Sequence, residues 1–296
     1  MINKRLVRSY NDLFRHEEWN IGIVHAPVSD FLKSDSNPEI HWVPKFSSGK
    51  FLADPFAVIK DDRIHIFCEE FNYQTRKGRI VTFEVADTKY TKPAVAIELP
   101  IHMSYPYMIQ HEKQIYCVPE TCAAREISLY RAEAFPYQWK KVCSLVSNFD
   151  GVDGTVFQHG DRWWLTCTSR EFGEQDKLFV WYARELFGPW MSHAANPVKT
   201  DMSSSRPAGT PFVHDGKLYR PTQDCTNTYG ERIVINRIVN LTPTEFNEET
   251  VKILTPDSRG LYPSGIHTIS DVGNITLVDG KRFTFIRSAF VSALMR

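Results

Sequence analysis

Short runs of alternating apolar and polar residues recur along the chain, each broken by a polar turn and answered by a second apolar or aromatic run. Five such pairs stand out: Phe56–Phe67, Tyr107–Cys117, Val156–Leu165, Pro211–Tyr219 and Ile266–Leu277. Period-two alternation around a polar turn is the signature of a β-hairpin. The residues closing the turns are Arg63, Lys113, Arg162, Lys217 and Asn274, at spacings of 50, 49, 55 and 57. A third strand-like run follows four of them, at Arg79–Val85, Glu126–Arg131, Lys177–Tyr182 and Arg232–Asn236. Units of about 50 residues, each a small antiparallel sheet, predict an all-β chain closed as a five-bladed β-propeller. A sandwich would not explain the even repeat. The run Trp19–His25 is placed to complete the last blade and close the ring. Only Tyr10–Glu18 reads as a short helix. No linker or low-complexity tract interrupts the chain, so residues 1–296 read as one domain with blades starting near 54, 105, 153, 206 and 267.

Composition narrows the partners. Lys and Arg number 35 against 35 Asp and Glu, without the basic excess that phosphate binding needs, so no nucleic-acid partner is expected. The longest apolar runs are too short to span a bilayer, and no membrane insertion is expected. The opening Met1–Tyr10 has no apolar stretch resembling a signal peptide. Six cysteines show neither a CxxC pair nor zinc spacing, which fits reduced thiols in a soluble, cytoplasmic protein. No metal and no cofactor is expected, and phosphate-loop, HExxH and nucleophile-elbow motifs are lacking.

In a propeller the innermost strands converge on a central channel. Here they begin with Ala53-Asp54-Pro55, Ser104-Tyr105-Pro106, Asp150-Gly-Val-Asp153, Arg206-Pro-Ala-Gly209 and Gly265-Ile-His267-Thr268. The second strands end in Glu69-Glu70, Pro119-Glu120, Thr168-Ser169 and Gln223-Asp224. The candidates for a polar site are therefore Asp54, Glu70, Tyr105, Glu120, Asp153, Arg206, Gln223, Asp224 and His267. Each also has a plainer reading. Asp54 could cap its turn, Asp150 and Asp153 could hold a loop, His267 could be a core histidine, and Arg206 could be a strut to Asp224. Their equivalent places in successive blades favour one shared site. The Arg206 fork also suits a phosphate or a sugar carboxylate. Trp163-Trp164 looks like a sugar platform, but adjacent strand residues face opposite sides, so at least one packs between blades.

The set Trp19-Asn-Ile-Gly22, Ala53-Asp-Pro-Phe56, Asp150-Gly-Val-Asp153, Arg206-Pro-Ala-Gly209, Gln223-Asp-Cys225 and Gly265-Ile-His-Thr268 resembles the N-terminal domain of glucosamine inositolphosphorylceramide transferases. The resemblance covers nearly the whole chain. It implies a five-bladed propeller related to glycoside hydrolase families 43 and 32. It also implies association with glycosyltransferase or formyltransferase-like domains, and surface polysaccharide metabolism as a setting. The transferase activity itself is expected of a separate C-terminal domain. In family 43-like hydrolases a first-blade Asp is the general base, a third-blade Asp tunes the acid, and a fourth-blade Glu is the acid. Asp54 and Asp153 match the first two. Where the Glu is expected this sequence has Ser205-Arg206-Pro207, and a permanently charged guanidinium is no proton donor. Glu120, or Glu70, is the substitute within the sequence.

Two function classes follow. One is a carbohydrate-active enzyme cleaving or transferring a glycosyl unit, with Asp54, Asp153 and Glu120 catalytic. The other is a glycan- or sugar-phosphate-recognition domain that has lost its acid. A protein-interaction propeller would have no use for so many carboxylates at its strand starts.

Overall fold

A computed structural model describes residues 16–33, 38–86 and 89–284. The turns read from the alternation close hairpins. Asp61 and Asp62, at φ 51 and 59°, sit in the left-handed region that a two-residue hairpin turn requires. Five antiparallel sheets result, arranged as the five blades of a propeller. Blade 1 comprises Lys50–Lys60, Arg63–Asn72 and Lys77–Ala86, with Lys89–Tyr90 and Ala94–Ile97 on its outer edge. Blade 2 runs through Ser104–His111, Gln114–Glu120, Glu126–Ala134 and Gln138–Ser147. Blade 3 has Gly151–His159, Arg162–Ser169 and Lys177–Ala183, edged by Met191–Ser192 and Lys199–Thr200. Blade 4 has Phe212–His214, Lys217–Asp224, Arg232–Leu241 and Phe246–Leu254.

Blade 5 is built from both ends of the chain. Ile269–Val272 pairs with Ile275–Thr284, which pairs with His16–Val24 and so with His41–Trp42. The N-terminal strand thus joins the last blade, as Trp19–His25 suggested. It starts earlier than expected: His16, Glu17 and Glu18 pair with Thr284, Phe283 and Arg282. This part of the expected Tyr10–Glu18 helix is strand, because ladder bonds to the C-terminal strand override local propensity. Residues 10–15 lie outside the described residues. No helix among the described residues is long and apolar enough to cross a membrane.

The core is divided among the contacts between blades. Phe56, Tyr107, Leu129, Val156 and Trp163 fill one cluster across blades 1 to 3. Phe157, Trp164, Leu178 and Leu218 fill another between blades 3 and 4. Strand alternation therefore sends Trp163 and Trp164 into two different interfaces, both buried, and neither is a sugar platform. Cys68, Cys117 and Cys167 take matching buried positions in blades 1 to 3, and all six cysteines are free thiols.

Candidate active site

The innermost strands of blades 1, 2 and 3 share one irregularity. Their registers slip between Ala53 and Phe56, Ser104 and Tyr107, and Val152 and Thr155. Inside each slip sits a left-handed residue: Asp54 at φ 53°, Tyr105 at 42° and Asp153 at 54°. A bulge of this kind interrupts the ladder and re-aims a side chain, here towards the propeller axis or the core beneath it. The N–H freed by each bulge is caught by a carboxylate. Asp54 N–H donates to Asp279 Oδ2, Tyr105 N–H to Asp54 Oδ2, and Asp153 N–H to Glu120 Oε2, each at 3.2 Å. Carboxylates thereby tie neighbouring blades together around the axis.

A cavity of about 280 Å³ opens at this end of the channel. Asp54, Glu69, Glu120, Asp153, Arg206 and His267 line its floor, and Trp19, Phe51, Phe71 and Tyr229 form apolar wall. Five of the residues singled out from sequence are thus brought together. Others are not. Glu70 is turned away from the cavity and paired with Lys50 and Arg79, each at 2.8 Å, while its neighbour Glu69 takes the inward place. Asp224 is bound to Arg232 at 2.8 Å and lies off the cavity. Arg206 pairs with Asp153 (Nε to Oδ2, 2.6 Å) and Glu174 (3.2 Å), not with Asp224. Tyr105 points into the core, its Oη accepting from Gly209 N–H at 2.7 Å. Gln223 supports the site from behind, donating through Nε2 to Asp153 Oδ2 at 2.9 Å.

Asp279 was not singled out: it lies in the strand Ile275–Thr284, just past the end of the repeat segment Ile266–Leu277. It is fully buried and accepts from the backbone N–H groups of His267 (2.9 Å) and Thr268 (3.0 Å). Its Oδ2 lies 2.5 Å from His267 Nδ1, so that nitrogen carries a proton. His267 Nε2 faces Asp54 Oδ1 at 3.6 Å, and its ring stacks on Trp19 at 3.8 Å between centroids. Asp54, His267 and Asp279 offer possible ligand atoms within 4.8 Å of one another, with His267 Nδ1 engaged by Asp279.

This setting moves the proton affinities. Burial raises Asp54 to about 6, against the pull of the His267 cation. Burial likewise raises Asp153 to about 6, with Arg206 opposing. Glu120 is also raised by burial. Glu69 is pushed well above the usual carboxyl range by burial and by Asp54, Glu120, Asp153 and Asp279 around it. Burial would lower His267, but Asp279 and Asp54 outweigh it and the imidazole is raised. Environments that separate the affinities of neighbouring carboxyls divide them into acids and bases.

Residues 41–261 match the family described as glucosamine inositolphosphorylceramide transferase 1, N-terminal. Over 210 residues, 69% of the chain, the sequence is 33% identical to glucosamine inositolphosphorylceramide transferase 1 of Oryza sativa subsp. japonica. That alignment spans only 28% of the rice protein's length. Among solved structures, a family 117 glycoside hydrolase of Zobellia galactanivorans superposes with a TM-score of 0.54, covering 91% of each chain at 11% identity. A thermostable family 43 glycoside hydrolase gives 0.54, over 76% of this chain and 84% of its own, also at 11% identity. At such identity the likeness is one of fold.

Proposed function

The chain belongs to the family of the N-terminal region of glucosamine inositolphosphorylceramide transferase 1, and from that premise we propose a carbohydrate-active propeller that binds a glycan or sugar-phosphate conjugate and works on its glycosidic bond. One observation carries this reading: four buried carboxyls, Asp54, Glu69, Glu120 and Asp153, converge on one open cavity. Burying four like charges around one open cavity is costly beyond what tying the bulges needs, and acid–base chemistry at a glycosidic bond uses a pair of such carboxyls. Asp54 is the general base, since with an affinity near 6 it is ionised at neutral pH yet still basic. Asp153, clamped by Arg206 and Gln223, is the tuning carboxylate, and the acid comes from the carboxyls beside it, Glu120 or Glu69. Phe51 and Phe71, half-buried at the cavity wall, give the sugar an apolar face to rest on. Because the chain spans about a third or less of the relatives' length, we place it beside a glycosyltransferase or formyltransferase-like partner domain.

A second reading keeps the ligand and drops the chemistry. It is favoured by Arg206, a cation bound directly to Asp153 where a hydrolase would hold its acid. The test is turnover by the wild-type protein on a panel of natural and activated glycosides, with calorimetry against the same sugars and their phosphates. Asp54-dependent release supports the enzyme. Binding without release supports recognition, and neither one overturns both.

A further inference from the structure

Resting on the catalytic reading above, we propose that Glu69 is the proton donor of this site, delivering its carboxyl proton to the oxygen that leaves the sugar. Glu69 lies within the second strand of blade 1, opposite Ala53, the residue that precedes the base Asp54. It lines the cavity although only 6% exposed. Its Oε1 is buried with no hydrogen-bond partner among the described residues. The space for that oxygen is made by Gly78: a Cβ there would stand 2.1 Å from Oε1 and 2.4 Å from the Met103 carbonyl. The carboxyl is therefore housed rather than merely tolerated.

The contrast with its neighbours assigns the role. Asp54 accepts from Thr268 Oγ1 at 2.9 Å and from Tyr105 N–H. Asp153 accepts from Arg206 and Gln223, and Glu120 from Asp153 N–H. Each of those bonds favours an ionised acceptor. Glu69 has none, and an ionised Glu69 would be an unpaired buried charge. An imidazole stands beside it: His102 Nε2 lies 3.6 Å from Oε1. His102 Nδ1 accepts Gly78 N–H at 2.9 Å, which places a neutral ring's proton on Nε2, and burial together with Arg170 keeps the ring neutral. Among the described residues no Lys or Arg pairs with Glu69, and it stays an acid where Asp54 stays a base.

The step balances with water as co-reactant. The Glu69 O–H bond breaks as its proton passes to the glycosidic oxygen, which keeps the electron pair of the breaking bond to the anomeric carbon. The oxygen of water bonds to that carbon and gives a proton to the Asp54 carboxylate. Exchange of these protons with solvent through the open cavity resets both groups.

The experiment compares Glu69→Gln, Glu69→Asp and Glu120→Gln with wild type, after circular dichroism has verified each fold. At neutral pH the infrared carbonyl band of a protonated carboxyl should be present in wild type and lost in Glu69→Gln. Turnover of alkyl glycosides by Glu69→Gln should fall about 100-fold or more, the usual worth of general acid catalysis, and turnover of activated aryl glycosides by less than about tenfold. Glu69→Asp, which keeps an acid, should fall between. A wild type active on the panel, with Glu69→Gln unchanged or the leaving-group dependence found in Glu120→Gln instead, overturns the donor assignment alone. A wild type inactive on every glycoside overturns the catalytic reading and this assignment with it.

Discussion

Arg206 Nε donates to Asp153 Oδ2 at 2.6 Å across the channel, with side chains only 6% and 4% exposed. The same guanidinium reaches Glu174 and lies over the Tyr229 ring at 4.9 Å. It holds one carboxylate of the cluster ionised in a place where burial would neutralise it. Removing one partner of such a pair leaves an uncompensated buried charge, at a cost of about 3–5 kcal/mol. Arg206→Met should therefore lower stability by that amount in urea unfolding. Arg206→Met combined with Asp153→Asn should recover most of it, since the stranded charge is then gone. Equal losses in the single and double variants would show that the pair is not the source.

The left-handed backbone at Asp54 separates a chemical substitution from a structural one. Asn accepts a φ of 53° nearly as well as Asp and can still accept the Tyr105 N–H. Asp54→Asn should fold with a thermal midpoint no lower than that of wild type and have no turnover. Asp54→Val places a branched side chain in a forbidden region and strands that N–H, so it should lose stability as well, by about 1–3 kcal/mol. Paired melting curves and turnover assays check both.

Gly209 joins blade 4 to blade 5 through a parallel bridge to Ile269. At φ 123° its Cβ would stand 1.7 Å from the Ile269 carbonyl oxygen, a clash of backbone with no flexible end to yield. Gly209→Ala should cost more than about 4 kcal/mol, in the range reserved for severe defects. Gly160→Ala, at φ 63° but with open space around it, should cost only the left-handed penalty of about 1–2 kcal/mol. Denaturant midpoints of the two variants should differ accordingly.

The hairpins were legible because a two-sided blade writes period-two alternation into its strands and polar residues into its turns. Arg63, Arg162 and Lys217 do begin the second strands of their blades. The convergence of Asp54, Glu120, Asp153, Arg206 and His267 followed from their matching places in that repeat. What failed was orientation and partnership. Glu69 and Glu70 are adjacent, and only the register beside the bulge decides which faces the channel. Asp279 lies in a long strand, just past the end of the repeat segment. The partner of Arg206 is Asp153, 53 residues away in another blade, rather than the nearer Asp224 that the plainer reading offered. Such contacts depend on how blades are set around the axis, which local alternation does not encode.

The pH dependence of stability and of activity should run in opposite directions. Asp54 and Asp153 titrate near 6 when folded, against 3.8 for an ordinary Asp. Between those values the folded state binds more protons than the unfolded one. The stabilisation from these groups is therefore complete below about 4 and is lost as pH rises through about 6. His267, also raised, acts with the same sign, its contribution fading as pH climbs past its folded value above 6.5. Turnover needs Asp54 ionised, so it should rise through an apparent value of about 6, one that belongs to the coupled carboxyls rather than to a single residue. The His267 cation holds Asp54 down, so His267→Gln should move that acid limb to higher pH. Urea unfolding across this window, beside a pH–rate profile, reads both. Stability that climbs with pH between 4 and 6, or an acid limb unmoved in His267→Gln, would reject this electrostatic account of the site.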